Sequence, residues 1–276
     1  MLNEIKFSVA MCVYMNDDPI HFREAIESVI NQTIKPDEFV IVVDGPVSSY
    51  TDCIIKLYEN EENFKMIRLP ENVGHGNARR IGLINCKNEI VALMDADDIC
   101  LPDRFEKQIK CFTEDYSLSV VGGNIAEFID STENVIGYRK VPQKDIEIKK
   151  YLKKRCPFNQ MTVMFNKNDV EMAGGYQDWY LNEDYYLWIR MYLNGAKFRN
   201  LKDTLVFVRV GNEMYNRRGG LKYFKSEAKL QKYMKDKDII NFIIYSCNLV
   251  IRFILQVLMP NKIRSFVYKK FTRVKA

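Results

Sequence analysis

Short apolar runs alternate with helical patterns over the first hundred residues of the chain. Four runs predict buried strands: Lys6–Tyr14, Glu38–Val43, Lys65–Leu69 and Ile90–Met94. The intervening segments predict three helices: His21–Gln32, Thr51–Glu59 and Asn77–Cys86. Strands that alternate with helices indicate βαβ units, so we expect a parallel sheet covered by helices on both faces.

The second half of the chain alternates less regularly. A strand is predicted within Leu118–Phe128, and others over Asn159–Asn166 and Leu205–Arg209. The predicted helices are Arg104–Cys111, Lys167–Ala173 and Asp184–Asn194, with a basic helix or loop over Lys144–Lys154. No linker rich in proline or serine separates the two halves, so we expect them to share one sheet.

The last sixty residues combine apolar and basic character. Leu221–Lys237 predicts a charged helix, and the apolar stretch Ile239–Met259 is interrupted by Asn, Gln and Arg side chains. The net charge of the chain is +5, yet residues 217–276 hold 15 Lys and Arg against three Asp and Glu. A basic tail on a weakly acidic body favours an anionic surface as partner.

The cysteines and histidines indicate a cytosolic location and argue against a zinc site. The seven cysteines form no CxxC pair and several lie in apolar runs, which is typical of reduced thiols in a cytosolic protein. The chain has only two histidines, so its composition does not favour a His/Cys zinc site.

Carboxylates crowd the end of the fourth predicted strand. Asp95, Asp97 and Asp98 follow Ile90–Met94, and Asp44 follows the second strand. The carboxyl ends of parallel strands lie at one edge of a sheet, where ligands bind. Crowded acids raise one another's pKa unless a cation compensates, and Mg²⁺ or Mn²⁺ prefers such oxygen ligands. The alternative is structural: Asp98 caps a helix or Asp95 forms an Asx turn.

Five segments carry a resemblance to a known family. They are SVAMCVYMND (8–17), IVVDGPVSS (41–49), ENVGHGNARRIGL (71–83), ALMDADDICLPDRFEKQ (92–108) and NEDYYLWIRMYLNGAKF (182–198). In this order they resemble the inverting glycosyltransferases of family 2, over roughly residues 6–210. The likeness is to bacterial enzymes that build O-antigen or capsular repeat units.

The resemblance implies an α/β fold of the GT-A type, a Rossmann-like mixed sheet flanked by helices, with a basic helical tail at the C-terminus. A catalytic domain would cover residues 1–216, with a nucleotide-sugar half (1–100) and an acceptor half (101–216). Residues 217–276 would form the helical tail that associates with the membrane.

The resemblance also implies the donor side of the site. Cys12 and Tyr14 would flank the nucleotide base, Cys12 through its backbone because family members often have Thr or Pro there. Asp44 would hydrogen-bond the uracil or ribose, and Arg79 would lie near the base or the diphosphate. Tyr14 has a structural alternative as a core aromatic residue. Because Arg79 and Arg80 are adjacent, we expect one of them to be a solvated helix charge.

The metal and the base follow from the same resemblance. Asp97 and Asp95 would form the DxD pair that holds Mn²⁺ or Mg²⁺, with Asp97 the main ligand and Asp95 nearer the ribose or sugar; Asp98 is a less certain ligand. Asp184 would be the general base. Glu183 and Asp184 also fit ordinary acids in the first turn of a helix. His75 could be a loop residue without a role.

Two arginines follow the part of the chain that carries the resemblance. Arg217 and Arg218, followed by two glycines, could clamp the diphosphate as a closing loop. They could equally begin the basic tail.

The expected activity is transfer of a hexose, galactose or glucose, from a UDP-sugar to a sugar linked to a polyprenyl diphosphate. One displacement would invert the anomeric centre. A nucleotidyltransferase is the alternative enzyme, although YMNDDPIHF stands where that class has a glycine-rich loop with a lysine. A non-catalytic, membrane-associated module that binds nucleotide sugars is the third reading.

The tail suggests where the reaction takes place. Residues 239–276 predict peripheral attachment to the cytoplasmic face of a bacterial inner membrane, because Arg252 and the scattered amides suit an interfacial helix better than a spanning one. The structural alternative is a helix packed on the domain. No recognised nucleic-acid-binding module accompanies the basic charge.

Overall fold

A computed structural model describes residues 5–211, 219–260, 263–264, 267 and 273–274. Within these residues nine strands form one sheet, in the order β3-β2-β1-β4-β8-β6-β9-β5, with β7 paired to β6. The strands are β1 (Phe7–Tyr14), β2 (Glu38–Asp44), β3 (Phe64–Arg68), β4 (Ile90–Asp95), β5 (Ile99–Cys100), β6 (Val120–Ile129), β7 (Ser131–Arg139), β8 (Met164–Asn166) and β9 (Phe198–Arg209).

The helices connect these strands and cover the sheet. They are α1 (Pro19–Ile30), α2 (Ser49–Tyr58), α3 (His75–Asn85), α4 (Arg104–Glu114), α5 (Asp145–Leu152), α6 (Lys167–Met172), α7 (Glu183–Leu193), α8 (Leu221–Asp236) and α9 (Phe242–Phe253). A 3₁₀ turn covers Gln160–Thr162, and a π-helical segment, Ile254–Leu258, continues α9.

The parallel part of the sheet places the expected site. Strands β1, β2, β3 and β4 are parallel, and β1 lies between β2 and β4. The chain therefore builds outward on one side of β1 before it crosses to the other, which creates a switch point where ligands bind in such sheets. Registers pair Tyr14 with Asp44 and Cys12 with Asp95, so these four positions lie at one edge.

The core fills both faces of the sheet, as the period of two along the strands requires. On β1, Val9 and Met11 face the cluster that includes α1 and α4, whereas Ala10 faces the cluster that includes α3 and α7. All seven residues of β2 are buried. The prediction of helices on both faces is confirmed.

Two predictions in the second half need correction. Asn159–Asn166 is not one strand: Thr162 Oγ1 donates to Asn159 O (2.7 Å) and Asn159 Nδ2 donates to Gly123 O (2.8 Å), and these local bonds hold a 3₁₀ turn before β8. Strand β7 was not predicted, because its residues are exposed or half-buried, apart from Gly137, and mix polar with apolar types. It forms a hairpin with β6 through Asp130, at φ 61°.

The C-terminal helices pack on the body with their polar residues inward. Asn248 of α9 is buried and donates to Gln231 Oε1 (2.8 Å) and to Lys153 O (3.1 Å). Arg252 forms an ion pair with the buried Glu227 of α8. None of the helices in the described part of the chain combines the length and apolar character that crossing a bilayer requires. The division at residue 216 stays a prediction.

Candidate functional site

The carboxyl ends of β1, β2 and β4 open into a cavity of about 920 Å³. Its lining includes five of the predicted donor-side residues: Cys12, Tyr14, Asp44, Asp95 and Asp97. Tyr14 is 37% exposed, so its alternative as a core aromatic residue is wrong. Burial raises the pKa of the Cys12 thiol to about 12, which keeps it protonated and unreactive at neutral pH.

Asp44 is held rigidly at the end of β2. Its buried carboxylate accepts a hydrogen bond from the backbone N–H of Val73 (2.8 Å). The next residue, Gly45, has φ +84°, and a Cβ there would lie 2.7 Å from the amide nitrogen of Asn72. Only glycine lets the chain turn this closely against the loop before α3, so the turn fixes the position of Asp44.

The three acids of the turn after β4 have three different environments. Asp95 Oδ1 accepts from Arg79 Nη2 (2.6 Å) in an ion pair. Asp98 is buried and accepts from the backbone N–H of Arg209 (3.0 Å), and burial holds its pKa well above the usual range. Asp97 is solvent-exposed within the cavity and makes no ion pair with a described residue. Desolvation by the surrounding protein, and then the charge of Asp95, raise the pKa of Asp97.

These environments determine which of the three carboxylates could bind a divalent cation. No group of three or more His, Cys, Asp or Glu among the described residues could hold a metal. Mg²⁺ and Mn²⁺ are, however, commonly bound by one or two carboxylates together with substrate phosphates. Asp97, with Asp95 beside it, fits such an ion when a diphosphate is present, whereas Asp98 is already occupied by the backbone of β9.

Arg79 connects the strand-edge acids to α7. The guanidinium is buried on α3, whereas the adjacent Arg80 is exposed, as the sequence predicted for one of the two. Arg79 Nε donates to His75 Nε2 (2.9 Å), which acts as the acceptor. His75 Nδ1 then donates to Glu183 Oε1 (2.9 Å). His75 is therefore a bridge, and the reading of it as a loop residue without a role is wrong.

Glu183 and Asp184 differ although they are neighbours in the first turn of α7. Burial opposes ionisation of Glu183, but the hydrogen bond from His75 and the charge of Arg79 outweigh it, and the pKa of Glu183 is lowered. Burial, and then the charge of Glu183, raise the pKa of Asp184 to about 6. Asp184 is thus the more basic of the two carboxylates while still ionised at pH 7.

Gln160 completes the contacts of Asp184. With its amide oriented to satisfy its neighbours, Gln160 Nε2 donates to Asp184 Oδ2 (3.2 Å) and Oε1 accepts from Arg79 Nη1 (2.9 Å). Cys156 Sγ lies 3.7 Å from the same Oδ2, and Asp184 Oδ1 accepts from the N–H of Tyr185 (2.6 Å). Arg79 therefore contacts both Asp95 and the amide that holds Asp184.

A second cavity, of about 560 Å³, adjoins the first. Asp184 and Arg79 line it, together with residues of α8 and α9. Both cavities share four lining residues: His75, Asp95, Met161 and Leu181. The strand-edge acids and Asp184 thus line adjacent cavities. Arg217 and Arg218 lie outside the described residues.

Sequence reasoning missed three contributors to these cavities. Asp17 accepts from the N–H of Tyr14 (2.9 Å), and burial raises its pKa to about 6; its position just beyond β1 was a usable signal. Arg209 donates to Asp97 O (3.2 Å) and to Glu24 Oε2 (2.6 Å) from the end of β9. Gln160 gave no signal, because its segment was predicted as a strand.

Comparison with known proteins identifies the class to which this arrangement belongs. A model described as Glycosyl transferase family 2 matches residues 8–172, and this segment contains all the donor-side acids. The chain belongs to glycosyltransferase family 2. A protein named UDP-Gal:alpha-D-GlcNAc-diphosphoundecaprenol beta-1,3-galactosyltransferase, from Escherichia coli, is 35% identical over 97% of both chains. Amylovoran biosynthesis glycosyltransferase AmsE, from Erwinia amylovora, is 36% identical over 96% of this chain and 98% of its own.

The fold of this family 2 chain also has a counterpart among solved structures. TarS residues 1–349 from S. aureus, crystallised with UDP-GlcNAc, matches 91% of this chain and 73% of its own with a TM-score of 0.65 and 19% identity. The likeness confirms the GT-A fold expected from the sequence, a mixed sheet flanked by helices. The protein is a glycosyltransferase, and the identity of its substrates is a separate question.

Proposed function

We propose that this glycosyltransferase moves a hexose from a UDP-sugar to a sugar linked to a polyprenyl diphosphate, with inversion at the anomeric carbon. The observation that carries the proposal is the pair of adjacent cavities that share four lining residues. One is lined by acids at the strand ends, and the other contains a carboxylate with a raised pKa, Asp184. The names of the relatives from Escherichia coli and Erwinia amylovora support a product in surface polysaccharide synthesis.

The larger cavity would take the donor. Cys12 and Tyr14 line this cavity and would flank the base, and Asp44 would offer the free part of its fixed carboxylate to the uracil or ribose. Asp97 and Asp95 would hold Mg²⁺ or Mn²⁺ together with the diphosphate, and the ion would offset the charge that develops on the leaving nucleotide. The name of the relative from Escherichia coli supports UDP-galactose as the first donor to test.

Asp184 would be the general base. A carboxylate with a pKa of about 6 is ionised at pH 7 and binds a proton more strongly than an ordinary Asp, which suits transfer from an acceptor hydroxyl. Its cavity adjoins the donor cavity at Asp95 and His75, so an acceptor bound there would have its hydroxyl close to the donor sugar. A single displacement from that side inverts the configuration and needs no covalent intermediate.

Arg79 and Gln160 would position the reacting groups. Arg79 binds Asp95 directly and reaches Asp184 through the Gln160 amide. Because the guanidinium is buried, its position is fixed by these contacts and by His75. The geometry favours Arg79 as a positioning residue, rather than the direct ligand of base or diphosphate that the resemblance implied.

The membrane surface is the proposed site of the reaction, on the cytoplasmic face of a bacterial inner membrane. Helix α9 turns apolar side chains outward, among them Phe242 (71% exposed) and Ile243 (70% exposed). Helix α8 adds five lysines, and residues 261–276 six further Lys and Arg. Apolar anchors beside cations suit an interface with anionic lipid, and a lipid-linked acceptor requires that location.

A donor screen tests the activity. The full chain would be incubated with Mn²⁺, each of several UDP-, GDP- and dTDP-hexoses, and a synthetic GlcNAc-diphospholipid, with released nucleotide and product anomer as readouts. We expect turnover with UDP-galactose or UDP-glucose, a β-linked product from the α-linked donor, and loss of activity in EDTA that Mn²⁺ restores. Retention of configuration would overturn the mechanism. A non-catalytic module would bind UDP-sugar and give no product with any acceptor.

A further inference from the structure

The smaller cavity is lined by cations that the proposed chemistry does not use. Lys154 and Arg155 line it, and neither makes an ion pair or a side-chain hydrogen bond with any described residue. Two other cations of the same lining are already neutralised, since Arg79 pairs with Asp95 and Arg252 with Glu227. Lys154 and Arg155 are therefore available to an anion that enters with the acceptor.

The loop that carries these cations, residues 153–156, is fixed by side chains from three directions. Asn248 donates to Lys153 O (3.1 Å), and Arg252 Nη2 donates to Lys154 O (2.8 Å). Arg139 Nη2 donates to Cys156 O (3.0 Å). Each of these carbonyls thus has a partner from another element. Because the loop is already ordered, a ligand that binds to it loses little affinity to the conformational entropy of the loop.

The same loop contacts the proposed base. Cys156, next in sequence to Arg155, places its Sγ 3.7 Å from Asp184 Oδ2. A sugar whose hydroxyl reaches Asp184 therefore has its other substituents near the loop. The cavity is also lined by Ile251 of α9 and by Leu255 of the π-helical segment that follows, and Ile251 is 53% exposed. Contacts lead from the carboxylate of Asp184 through Cys156 to the two cations, and from Lys154 O through Arg252 to the apolar side chains of these helices.

We propose that Lys154 and Arg155 bind the diphosphate of the lipid-linked acceptor, whose hydrocarbon extends along Ile251 of α9 and Leu255 of the π-helical segment. This subsite rests on the proposed function and adds to it the groups that distinguish a lipid diphosphate from a free sugar. The chemical order of the cavity matches that of such an acceptor, which runs from hydroxyl to diphosphate to hydrocarbon. An ammonium and a guanidinium are the side chains that proteins use for phosphate oxygens.

The test compares acceptors with and without phosphate on matched variants. The double variant Lys154→Ala/Arg155→Ala removes the cations, and Lys154→Arg/Arg155→Lys exchanges them but keeps the charge. Lys140→Ala/Lys150→Ala removes two exposed charges, one before α5 and one within it, that do not line the cavity. Each protein is assayed with a GlcNAc-diphospholipid and with the corresponding alkyl glycoside of GlcNAc, and UDP affinity is measured by calorimetry.

Removal of the two cations should raise the KM for the diphospholipid roughly 10- to 100-fold, the effect of losing charged hydrogen bonds. UDP affinity and the rate with the alkyl glycoside should stay at the wild-type values, and the charge-preserving and surface variants should match the wild type. An equal loss on both acceptors, or no loss on the diphospholipid, overturns the subsite while the proposed function stands.

A binding measurement separates the subsite from the activity. The GlcNAc-diphospholipid in detergent micelles is titrated into each protein without donor, and bound lipid is followed by fluorescence of a label at its hydrocarbon end. Wild type should bind at least tenfold more tightly than Lys154→Ala/Arg155→Ala. If this difference appears but no donor supports turnover, the subsite stands and the proposed transfer fails. Equal binding by the two proteins overturns the subsite whatever the turnover.

Discussion

Single residues of the site differ more in their surroundings than in their chemistry. Asp95, Asp97 and Asp98 come from one turn, yet one is paired with a guanidinium, one is exposed in the cavity and one is bound to backbone. Likewise, the pKa of Glu183 is lowered whereas the pKa of Asp184 is raised. Groups whose surroundings push their pKa values apart can take different parts in a reaction.

Replacement of the proposed base should abolish transfer and leave nucleotide binding intact. Asp184→Asn keeps the size of the side chain but removes the proton acceptor, so we expect kcat to fall about 10²- to 10⁴-fold. UDP affinity should be unchanged, because Asp184 lines only the smaller cavity. Asp178→Asn, an exposed acid before α7, is the control. Near-normal turnover by Asp184→Asn would show that another group takes the proton.

The pH dependence follows from the raised pKa of Asp184. Below about pH 6 the carboxylate is protonated and cannot accept a proton, so kcat should fall on the acid side with a midpoint near 6. Gln160→Leu removes a hydrogen bond to the ionised form, so its midpoint should move to higher pH. Gln143→Leu, at an exposed position, should leave the profile unchanged. A Gln160→Leu profile identical to wild type would contradict the hydrogen bond.

Whole elements were predicted well where one physical signal dominated. Strands β1, β2 and β4 are apolar runs bounded by turns, and their bounds agree with prediction to within a residue or so. The strand-end acids were predictable for the same reason, since parallel strands end at one edge. Gln160 and β7 were not predictable from the sequence. The turn that holds Gln160 depends on local side-chain hydrogen bonds, and β7 belongs to a hairpin without a buried apolar run.

A buried ion pair joins helices α8 and α9. Arg252→Met leaves Glu227 buried without its partner, which should lower the free energy of unfolding by about 3–5 kcal/mol. Replacing both residues, as Arg252→Met/Glu227→Leu, should recover most of the loss, since no buried charge then remains unpaired. Urea unfolding at pH 7 measures both. Equal losses for the single and double variants would show that packing, and not charge, holds the helices together.

The molecule as a whole turns one face toward a lipid surface in this proposal. Phe242→Ser/Ile243→Ser/Val250→Ser removes exposed apolar anchors from α9, and cosedimentation with vesicles containing anionic lipid should fall at least tenfold in partition coefficient. Tyr116→Ser/Ile146→Ser/Met172→Ser removes equally exposed apolar residues elsewhere and should bind like wild type. If both triple variants still sediment with the vesicles, α9 is not the anchor.

The position of Arg79 has a consequence for how the two substrates affect each other. One buried guanidinium contacts the donor-side Asp95 and, through an amide, the acceptor-side Asp184. A ligand that shifts either carboxylate therefore changes the other, and thermodynamic reciprocity requires the effects to be equal in free energy. If an acceptor analogue changes the affinity for UDP by some factor, UDP must change the affinity for that analogue by the same factor.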